Sequence, residues 1–287
     1  MYDTPITHLH RTAFIIAIDC STSMQMRIKF NHLQMSKADA VAIVCNYILD
    51  ELLARATRND KVRNYYDIGV VQYSGDGIVD ILPDAIDGLT PIDILAKYQP
   101  PQKLYCFLTD PECEEYMTTI KYHIGEWITP TAHGRTPMYE ALHHVYDIVE
   151  KWCARPENCE SFPPIIFHIT DGCYSDGSMD DILTISDRIK SLGTANGNVL
   201  FVNIHLSTDQ SPTYTLFPPD REFTSPDRFK LMLFNMSSIM PKSMEPLIRE
   251  ATNTKYVGPY RGVAFNSSIC ELMMVLNIGS QSIFCNL

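Results

Sequence analysis

Short apolar runs that stop abruptly at a polar loop recur along this chain. Residues 13–18 are apolar throughout and lead directly into Asp19, and the mostly apolar residues 165–170 lead in the same way into Asp171. A third such run covers residues 199–206. Runs this short, apolar at successive positions, are typical of strands buried on both faces of a parallel sheet. The pattern therefore predicts three central strands, two of which end at a carboxylate.

A further strand is predicted at residues 66–73, and the Ser-Gly-Asp-Gly turn that follows leads straight into an apolar segment at residues 78–82. Strands joined by so short a turn pair antiparallel. We therefore expect one antiparallel edge strand beside the parallel ones.

Apolar residues spaced every three or four positions predict helices between the strands. The longest such pattern begins at Leu33 and ends near residues 55–58. A second helix has Pro137 in its first turn and runs to about Trp152. A third, through Ile189, opens on the capping-box residues Ser178 and Asp181. Shorter helices are predicted near residues 92–98, 244–251 and 269–276.

Two regions carry weaker patterns. Residues 84–133 contain eight acidic residues and three lysines. One strand is predicted there, at residues 120–128. We interpret the region as an elaboration of the fold with a solvated acidic surface. Beyond residue 206 the pattern predicts short strands at residues 230–234 and 256–257.

Alternation of buried strands and helices predicts an α/β fold in three layers, with a mostly parallel sheet between two layers of helices. We expect one domain over residues 1–287, elaborated at residues 84–133 and matching this pattern only loosely at residues 207–287. Ligands of such open sheets bind beyond the carboxyl ends of the strands, where the strand order reverses. Asp19 and Asp171 are therefore expected to lie at one site.

The loop after the first strand has the composition of a cation site. It reads Asp-Cys-Ser-Thr-Ser from residue 19 to residue 23, so that Asp19, Ser21 and Ser23 place three oxygen ligands at alternate positions. Hard divalent cations such as Mg²⁺ prefer oxygen ligands. The alternative is that Ser21 or Ser23 only caps the following helix.

Composition and charge indicate a globular protein and argue against some classes of partner. The 287 residues are 45 % hydrophobic and 20 % charged, which is typical of a globular chain. The formal net charge of −11 and the absence of a Lys/Arg cluster argue against a nucleic-acid partner. No apolar run approaches the length needed to span a membrane, and no secretory signal is visible. Nine cysteines, among them Cys20, Cys45 and Cys270 in apolar patterns, favour free thiols in a reducing cytoplasm.

Three motifs together resemble the von Willebrand factor type A (VWA, or integrin I-like) family and its metal ion-dependent adhesion site (MIDAS). They are the Asp-x-Ser-x-Ser motif at residues 19–23, the Gly-Arg-Thr-Pro loop at residues 134–137, and the Thr-Asp-Gly loop at residues 170–172. Their order and their positions after strands match the family over residues 11–206. The intracellular, tellurite-resistance-like members are the subtype that the chain resembles.

The resemblance implies a ligand set for Mg²⁺, or for Mn²⁺ or Ca²⁺. Ser21, Ser23 and Thr136 are implied to bind the ion directly, and Asp19 and Asp171 directly or through water. A plain helix cap at Thr136 and a vestigial site without metal are the alternatives.

The function implied is that of a cytoplasmic adaptor, without enzymatic activity, that binds an Asp or Glu side chain of a partner protein through the metal. Such members serve stress-response, ATPase, kinase or phosphatase systems. Arg135, next to Thr136, is a candidate for attracting the acidic partner; the alternative is an exposed arginine without a role.

Two other functions remain open from the sequence. Aspartates at strand ends with Mg²⁺ also serve hydrolases and phosphotransferases, although no nucleotide-binding glycine motif is present. A zinc site of Cys153, Cys159, His143 and His144 is the other alternative, although the cysteine spacing is not that of a common zinc motif.

Overall fold

A computed structural model gives the fold and describes residues 2–30, 33–108, 119–206, 215–221 and 223–265. In chain order, the strands are β1 (Thr12–Asp19), β2 (Arg27–Phe30), β3 (Leu33–Ser36), β4 (Thr57–Arg58), β5 (Lys61–Val62), β6 (Tyr66–Ser74), β7 (Gly77–Asp80), β8 (Thr90–Pro91), β9 (Gln102–Leu108), β10 (Thr119–Gly125), β11 (Ile165–Thr170), β12 (Gly193–Thr194), β13 (Gly197–Asn198), β14 (Leu200–His205), β15 (Thr215–Leu216) and β16 (Val263–Phe265).

The helices are α1 (Lys37–Ala56), α2 (Ile92–Leu95), α3 (Met138–Cys153), α4 (Met179–Ser191), α5 (Arg228–Met236) and α6 (Glu245–Thr252). Short 3₁₀ helices lie at Thr22–Gln25, Pro156–Asn158 and Lys242–Met244. Among the described residues, no helix is both long enough and apolar enough to cross a membrane.

The main sheet has the order β15-β16-β14-β11-β1-β6-β7, with β8 pairing beside β6. Strands β16, β14, β11, β1 and β6 run parallel, whereas β7 and β8 pair antiparallel with β6. The predicted α/β fold with a mostly parallel sheet and an antiparallel edge is thus confirmed. The structure adds two further antiparallel strands, β8 beside β6 and β15 at the opposite edge.

Alternate residues of β1 face two separate apolar cores. Ile16 and Ile18 pack into the core on the α1 side, where buried α1 residues recur every three or four positions. Ile15 and Ala17 pack into the core formed with α3, α4 and α5. Because both faces of β1 are buried, its sequence is apolar without alternation, as the first strand pattern predicts.

Four two-stranded hairpins of the described chain lie outside the main sheet, and two of them flank α1. Strands β2 and β3 pair between the first loop and α1, and β9 pairs with β10 within residues 84–133. The β9–β10 hairpin is held against α1 by Asn46, which exchanges hydrogen bonds with the backbone of Ile128, and by Asp50, which accepts from Trp127 Nε1 at 2.8 Å. The elaboration is therefore anchored to the helix that follows the first loop.

The prediction that the first helix begins at Leu33 is wrong. Leu33 lies in β3, and α1 begins at Lys37 behind a capping box between Ser36 and Asp39. The Ser36 side chain satisfies an N–H group that the first turn leaves free, so the helix begins there and the preceding residues pair with β2.

The predicted strand at residues 230–234 is also wrong, since these residues belong to α5. Asp227 accepts hydrogen bonds from the amides of Phe229 and Lys230, which fixes a helical start that strand periodicity does not reveal. No strand forms at residues 256–257 in the described chain; the last described strand is β16. The helix predicted at residues 269–276 and Cys270 lie outside the described residues, whereas Cys20 and Cys45 are buried free thiols.

Candidate metal centre

The reversal of strand order in the sheet lies between β1 and β11. The chain passes from β1 through α1 to β6 on one side of β1, and it later returns through α3 to β11 on the other side. Ile18 is in register with Ile169, so Asp19 and Asp171 leave the sheet at neighbouring strand ends. This confirms that the two carboxylates emerge at one edge of the sheet, where open α/β sheets form their ligand sites.

Asp19 is fully buried and both of its carboxylate oxygens are held. Oδ1 accepts the amide of Ser21 at 2.9 Å, and Oδ2 accepts the hydroxyl of Thr170 at 2.9 Å. Burial, opposed by these hydrogen bonds and reinforced by the nearby charge of Asp171, raises the pKa of Asp19 to about 6. Asp19 therefore ties the end of β1 to the end of β11.

Ser21 and Ser23 direct their hydroxyls toward each other. Their Oγ atoms lie 2.9 Å apart, with Ser21 buried and Ser23 half-buried. Neither side chain caps a helix in the described structure, because Ser21 makes no side-chain bond as the cap of the 3₁₀ turn and α1 is capped by Ser36. The capping alternative for this motif is therefore wrong, and both hydroxyls are available as ligands.

The second loop is bonded directly to the first. The amide of His133 donates to Cys20 O at 2.8 Å, and the amide of Thr22 donates to Gly134 O at 3.1 Å. Gly134 has a φ of +71°, and a Cβ there would lie 2.7 Å from Gly75 Cα. A glycine is thus required for this loop to close against the turn after β6.

Thr136 joins the second loop to the third. Its amide donates to Ser175 Oγ at 3.1 Å, and its carbonyl accepts the amide of Ser175 at 2.9 Å. The cap residue of α3 is Pro137, and the free amides of the first turn donate to the Asp176 carboxylate instead. The interpretation of Thr136 as a plain N-cap is therefore wrong. Its side chain is buried within the linked loops.

Asp171 has one satisfied oxygen and one free oxygen. Oδ2 lies 3.3 Å from the ammonium of Lys37, whereas Oδ1 is buried and has no hydrogen-bond partner among the described residues. The backbone carbonyl oxygen of Asp171 lies 3.1 Å from Nε2 of His205. His205, the last residue of β14, thus contacts the loop that carries Asp171.

Three residues that contact Asp19 or Asp171 are not among the predicted ligands. Thr170 bonds Asp19, Lys37 pairs with Asp171, and His205 contacts the backbone of Asp171. Thr170 and His205 are identifiable in principle, because they end neighbouring strands in register. Lys37 carries no such signal, since only the packing of α1 brings it to a residue 134 positions away.

The donor set fits a hard divalent cation. The three loops that carry these hydroxyl and carboxylate oxygens are hydrogen-bonded to one another, and Asp171 Oδ1 is a buried acceptor left without a donor among the described residues. Burial of an unpaired carboxylate oxygen is costly, so a cation or an ordered water is expected against it. Ser21, Ser23, Thr136, Asp19 and Asp171 are the residues that would hold the ion.

The zinc alternative finds no support in the described residues. No group of three or more His, Cys, Asp and Glu side chains gathers there in a geometry that could hold a metal. His144 instead pairs with Asp80 at 2.9 Å, and the ring of His143 packs edge-on against Tyr139.

His168 is a buried core histidine and not part of the candidate site. Its ring stacks on Tyr73 and Phe201, and its two nitrogens bond the hydroxyl of Tyr73 at 2.7 Å and Oδ1 of Asn203 at 2.8 Å. Burial lowers the pKa of His168 to about 4, so that the ring is neutral.

No family model and no curated protein sequence matches this chain. Solved structures are similar to it in fold. A manganese-loaded TRAP protein from Plasmodium vivax is 10 % identical with a TM-score of 0.40, covering 93 % of this chain and 72 % of its own. The SpRpn10 VWA domain is 12 % identical with a TM-score of 0.40, covering 70 % and 77 %. The BatB protein from Bacteroides thetaiotaomicron is 14 % identical with a TM-score of 0.37, covering 79 % and 85 %. Likeness at this level assigns no function to the chain.

Proposed function

We propose that this chain is a VWA-type domain that binds a divalent cation at Asp19, Ser21, Ser23, Thr136 and Asp171, and that uses the cation to bind an acidic side chain of a partner protein. The observation that carries the proposal is a buried carboxylate oxygen, Asp171 Oδ1, that has no partner among the described residues and that belongs to one of three loops hydrogen-bonded to one another. We expect Mg²⁺, with Mn²⁺ or Ca²⁺ as substitutes, because all the donors are oxygens.

The mode of partner binding follows from the charges of the ligands. Three of the five side chains are neutral hydroxyls, so the ion keeps much of its positive charge and attracts a further anionic ligand. A partner Asp or Glu supplies that ligand as a carboxylate. Arg135 is exposed next to the buried Thr136. We expect its positive charge to attract the same acidic partner. The chain thereby acts as an interaction module, without a catalytic role for its own side chains.

The cellular setting we propose is the cytoplasm. There the domain would serve as an adaptor in a stress-response system, as in tellurite-resistance-like proteins, or in one linked to an ATPase, kinase or phosphatase. The support is the pair of buried free thiols, Cys20 and Cys45, which suit a reducing compartment.

The proposal is tested by calorimetric titration of Mg²⁺, Mn²⁺ and Ca²⁺ into chelator-treated protein. We expect saturable binding that the Ser21→Ala/Ser23→Ala variant loses. Ser191→Ala is the control, because Ser191 is an exposed serine at the end of α4 whose hydroxyl donates to Arg188 O within the same helix. Binding that survives in the double variant would contradict the ligand set. Turnover of simple phosphoesters with Mg²⁺ would support the hydrolase alternative instead.

Metal-dependent partner binding needs a separate measurement. Protein immobilised with Mg²⁺ should retain an Asp- or Glu-containing peptide from a random library, and chelator should release it. The same peptide with Asn or Gln at that position is the control, since it has the same shape without the charge. Equal retention of both peptides would contradict a carboxylate–metal contact.

A further inference from the structure

Lys37 is a buried cation at the candidate metal centre. It is the first residue of α1, and its side chain is only 3 % exposed. Its ammonium lies 3.3 Å from Oδ2 of Asp171, whose side chain is 7 % exposed. A lysine is almost never buried to this degree unless it is paired. The ion pair with Asp171 therefore explains why Lys37 is tolerated at this depth.

Apart from this ion pair, the surroundings of Lys37 do little to stabilise its positive charge. A positive charge in the first turn of a helix opposes the helix dipole. An ammonium has three donors, yet the described residues give Lys37 one hydrogen-bond partner, Asp171 Oδ2. Lys37 is thus held by the charge of Asp171 and not by a cage of hydrogen bonds, so a cation of higher charge would compete for the same partner.

A divalent cation that uses Asp171 would meet the Lys37 ammonium at the same carboxylate. Two cations a few ångströms apart in a buried site repel each other strongly. Both oxygens of Asp19 already accept hydrogen bonds, from Ser21 and Thr170, whereas Asp171 has a free oxygen, Oδ1, beside the one that Lys37 contacts. Asp171 is therefore the carboxylate that Lys37 and the ion would share, whether or not Asp19 also binds the ion. A second cation on another element, Lys230, lies close enough to His205 that its charge, like that of Lys37, lowers the pKa of His205.

We propose that Lys37 is an internal counter-ion, which neutralises Asp171 in the metal-free protein and which the divalent metal displaces from that carboxylate. The proposal rests on the metal binding of the proposed function. Its consequence is that Lys37 stabilises the metal-free site and weakens metal binding, so that the site fills at a higher metal concentration than it would without Lys37.

The first test compares Mg²⁺ affinity in wild type, Lys37→Gln and Lys230→Gln. Lys37→Gln removes the competing charge and keeps a polar side chain, so we expect its Mg²⁺ dissociation constant to fall by about tenfold or more. Its melting temperature without metal should fall. Lys230→Gln removes a nearby charge that does not touch Asp171, and it should change the Mg²⁺ dissociation constant by no more than about threefold.

The second test needs no variant. Wild-type protein is treated with an amine-acylating reagent with and without saturating Mg²⁺, and the labelling of Lys37 is read by mass spectrometry. We expect protection of Lys37 without metal and faster labelling with Mg²⁺. Lys190, which bonds Asn235 O far from the site, is the internal control and should label equally in both conditions.

The outcomes separate this proposal from the metal site itself. An unchanged or weaker Mg²⁺ affinity in Lys37→Gln, or a Lys37 that stays protected at saturating Mg²⁺, overturns the counter-ion role while the metal site stands. Binding that appears only in Lys37→Gln supports the counter-ion role and contradicts metal-dependent function in the native chain. Absence of binding in both proteins overturns both proposals.

Discussion

Asp19 and His168 show how one physical cause acts in opposite directions on an acid and a base. Both side chains are fully buried close to the same strand ends. Burial disfavours charge, so it raises the pKa of Asp19 to about 6 and lowers that of His168 to about 4. The difference in role comes from the neighbours: Asp19 joins two loops at the metal centre, whereas His168 bonds only core residues.

The buried histidine gives a pH dependence. The pKa of His168 lies below its unfolded value of 6.5, so between about pH 6.5 and pH 4 the unfolded chain binds more protons and stability falls as the pH falls. We expect His168→Gln to lack this contribution, on the order of 3 kcal/mol in unfolding free energy across that range. Denaturant titrations of both proteins at several pH values measure it.

The control is His144, whose pKa is shifted in the opposite direction. The hydrogen bond that His144 Nε2 donates to Asp80 Oδ1 raises the pKa of His144, so its stabilising contribution is present at low pH and is lost as the pH rises through the raised pKa. His144→Gln should therefore lose stability relative to wild type mainly at low pH. Parallel pH profiles for the wild type and His168→Gln would show that His168 is not held neutral.

At the scale of elements, α3 depends on a cap from another loop. Asp176 accepts the amide of Tyr139 at 3.1 Å and that of Glu140 at 2.9 Å. We expect Asp176→Ala to cost about 1 kcal/mol of unfolding free energy, as for loss of an N-cap, and also to weaken Mg²⁺ binding because Thr136 precedes this helix. Asp187→Ala, which removes an exposed carboxylate paired with Lys190, is the control and should change neither quantity.

The loop that carries Thr136 depends on the close approach of two glycines. Gly134→Ala puts a methyl group at a positive φ and 2.7 Å from Gly75 Cα, so we expect a loss of about 2 kcal/mol in stability together with weaker Mg²⁺ binding. Gly77→Ala separates the two effects, because Gly77 also has a positive φ but nothing lies within 4 Å of its added Cβ. Gly77→Ala should therefore lower the stability and leave the Mg²⁺ affinity unchanged. Equal metal affinity in wild type and Gly134→Ala would mean that this loop does not supply a ligand.

At the scale of the whole molecule, the metal is expected to stabilise the fold. The ion binds only when the three loops are assembled, so Mg²⁺ at about 1,000 times its dissociation constant should add about 4 kcal/mol. For a chain of this size that corresponds to an increase of roughly 8 °C in melting temperature. Thermal denaturation with Mg²⁺ and with chelator measures the increase, and Ser21→Ala/Ser23→Ala should abolish it. An equal increase in that variant would place the metal elsewhere.

The sequence by itself determined the central sheet and the position of both carboxylates. Residues buried on both faces must be apolar at successive positions, and parallel strands end at one edge, so Asp19 and Asp171 are predictable from local pattern alone. Local signals in the sequence also predicted the capping box of α4, which the structure confirms. They failed where a cap outweighed periodicity, as at Asp227 before α5 and at Ser36 before α1.

Only the tertiary structure decided which side chains surround those carboxylates. The contacts of Lys37 with Asp171 and of Asp176 with α3 join residues far apart in the chain. Neither contact is indicated by hydrophobic periodicity or by a sequence motif. Such contacts depend on how α1 and the loops pack against the sheet, which residue spacing does not encode. The sequence thus determined the candidate ligands, whereas packing supplied the buried cation that we propose competes for one of them.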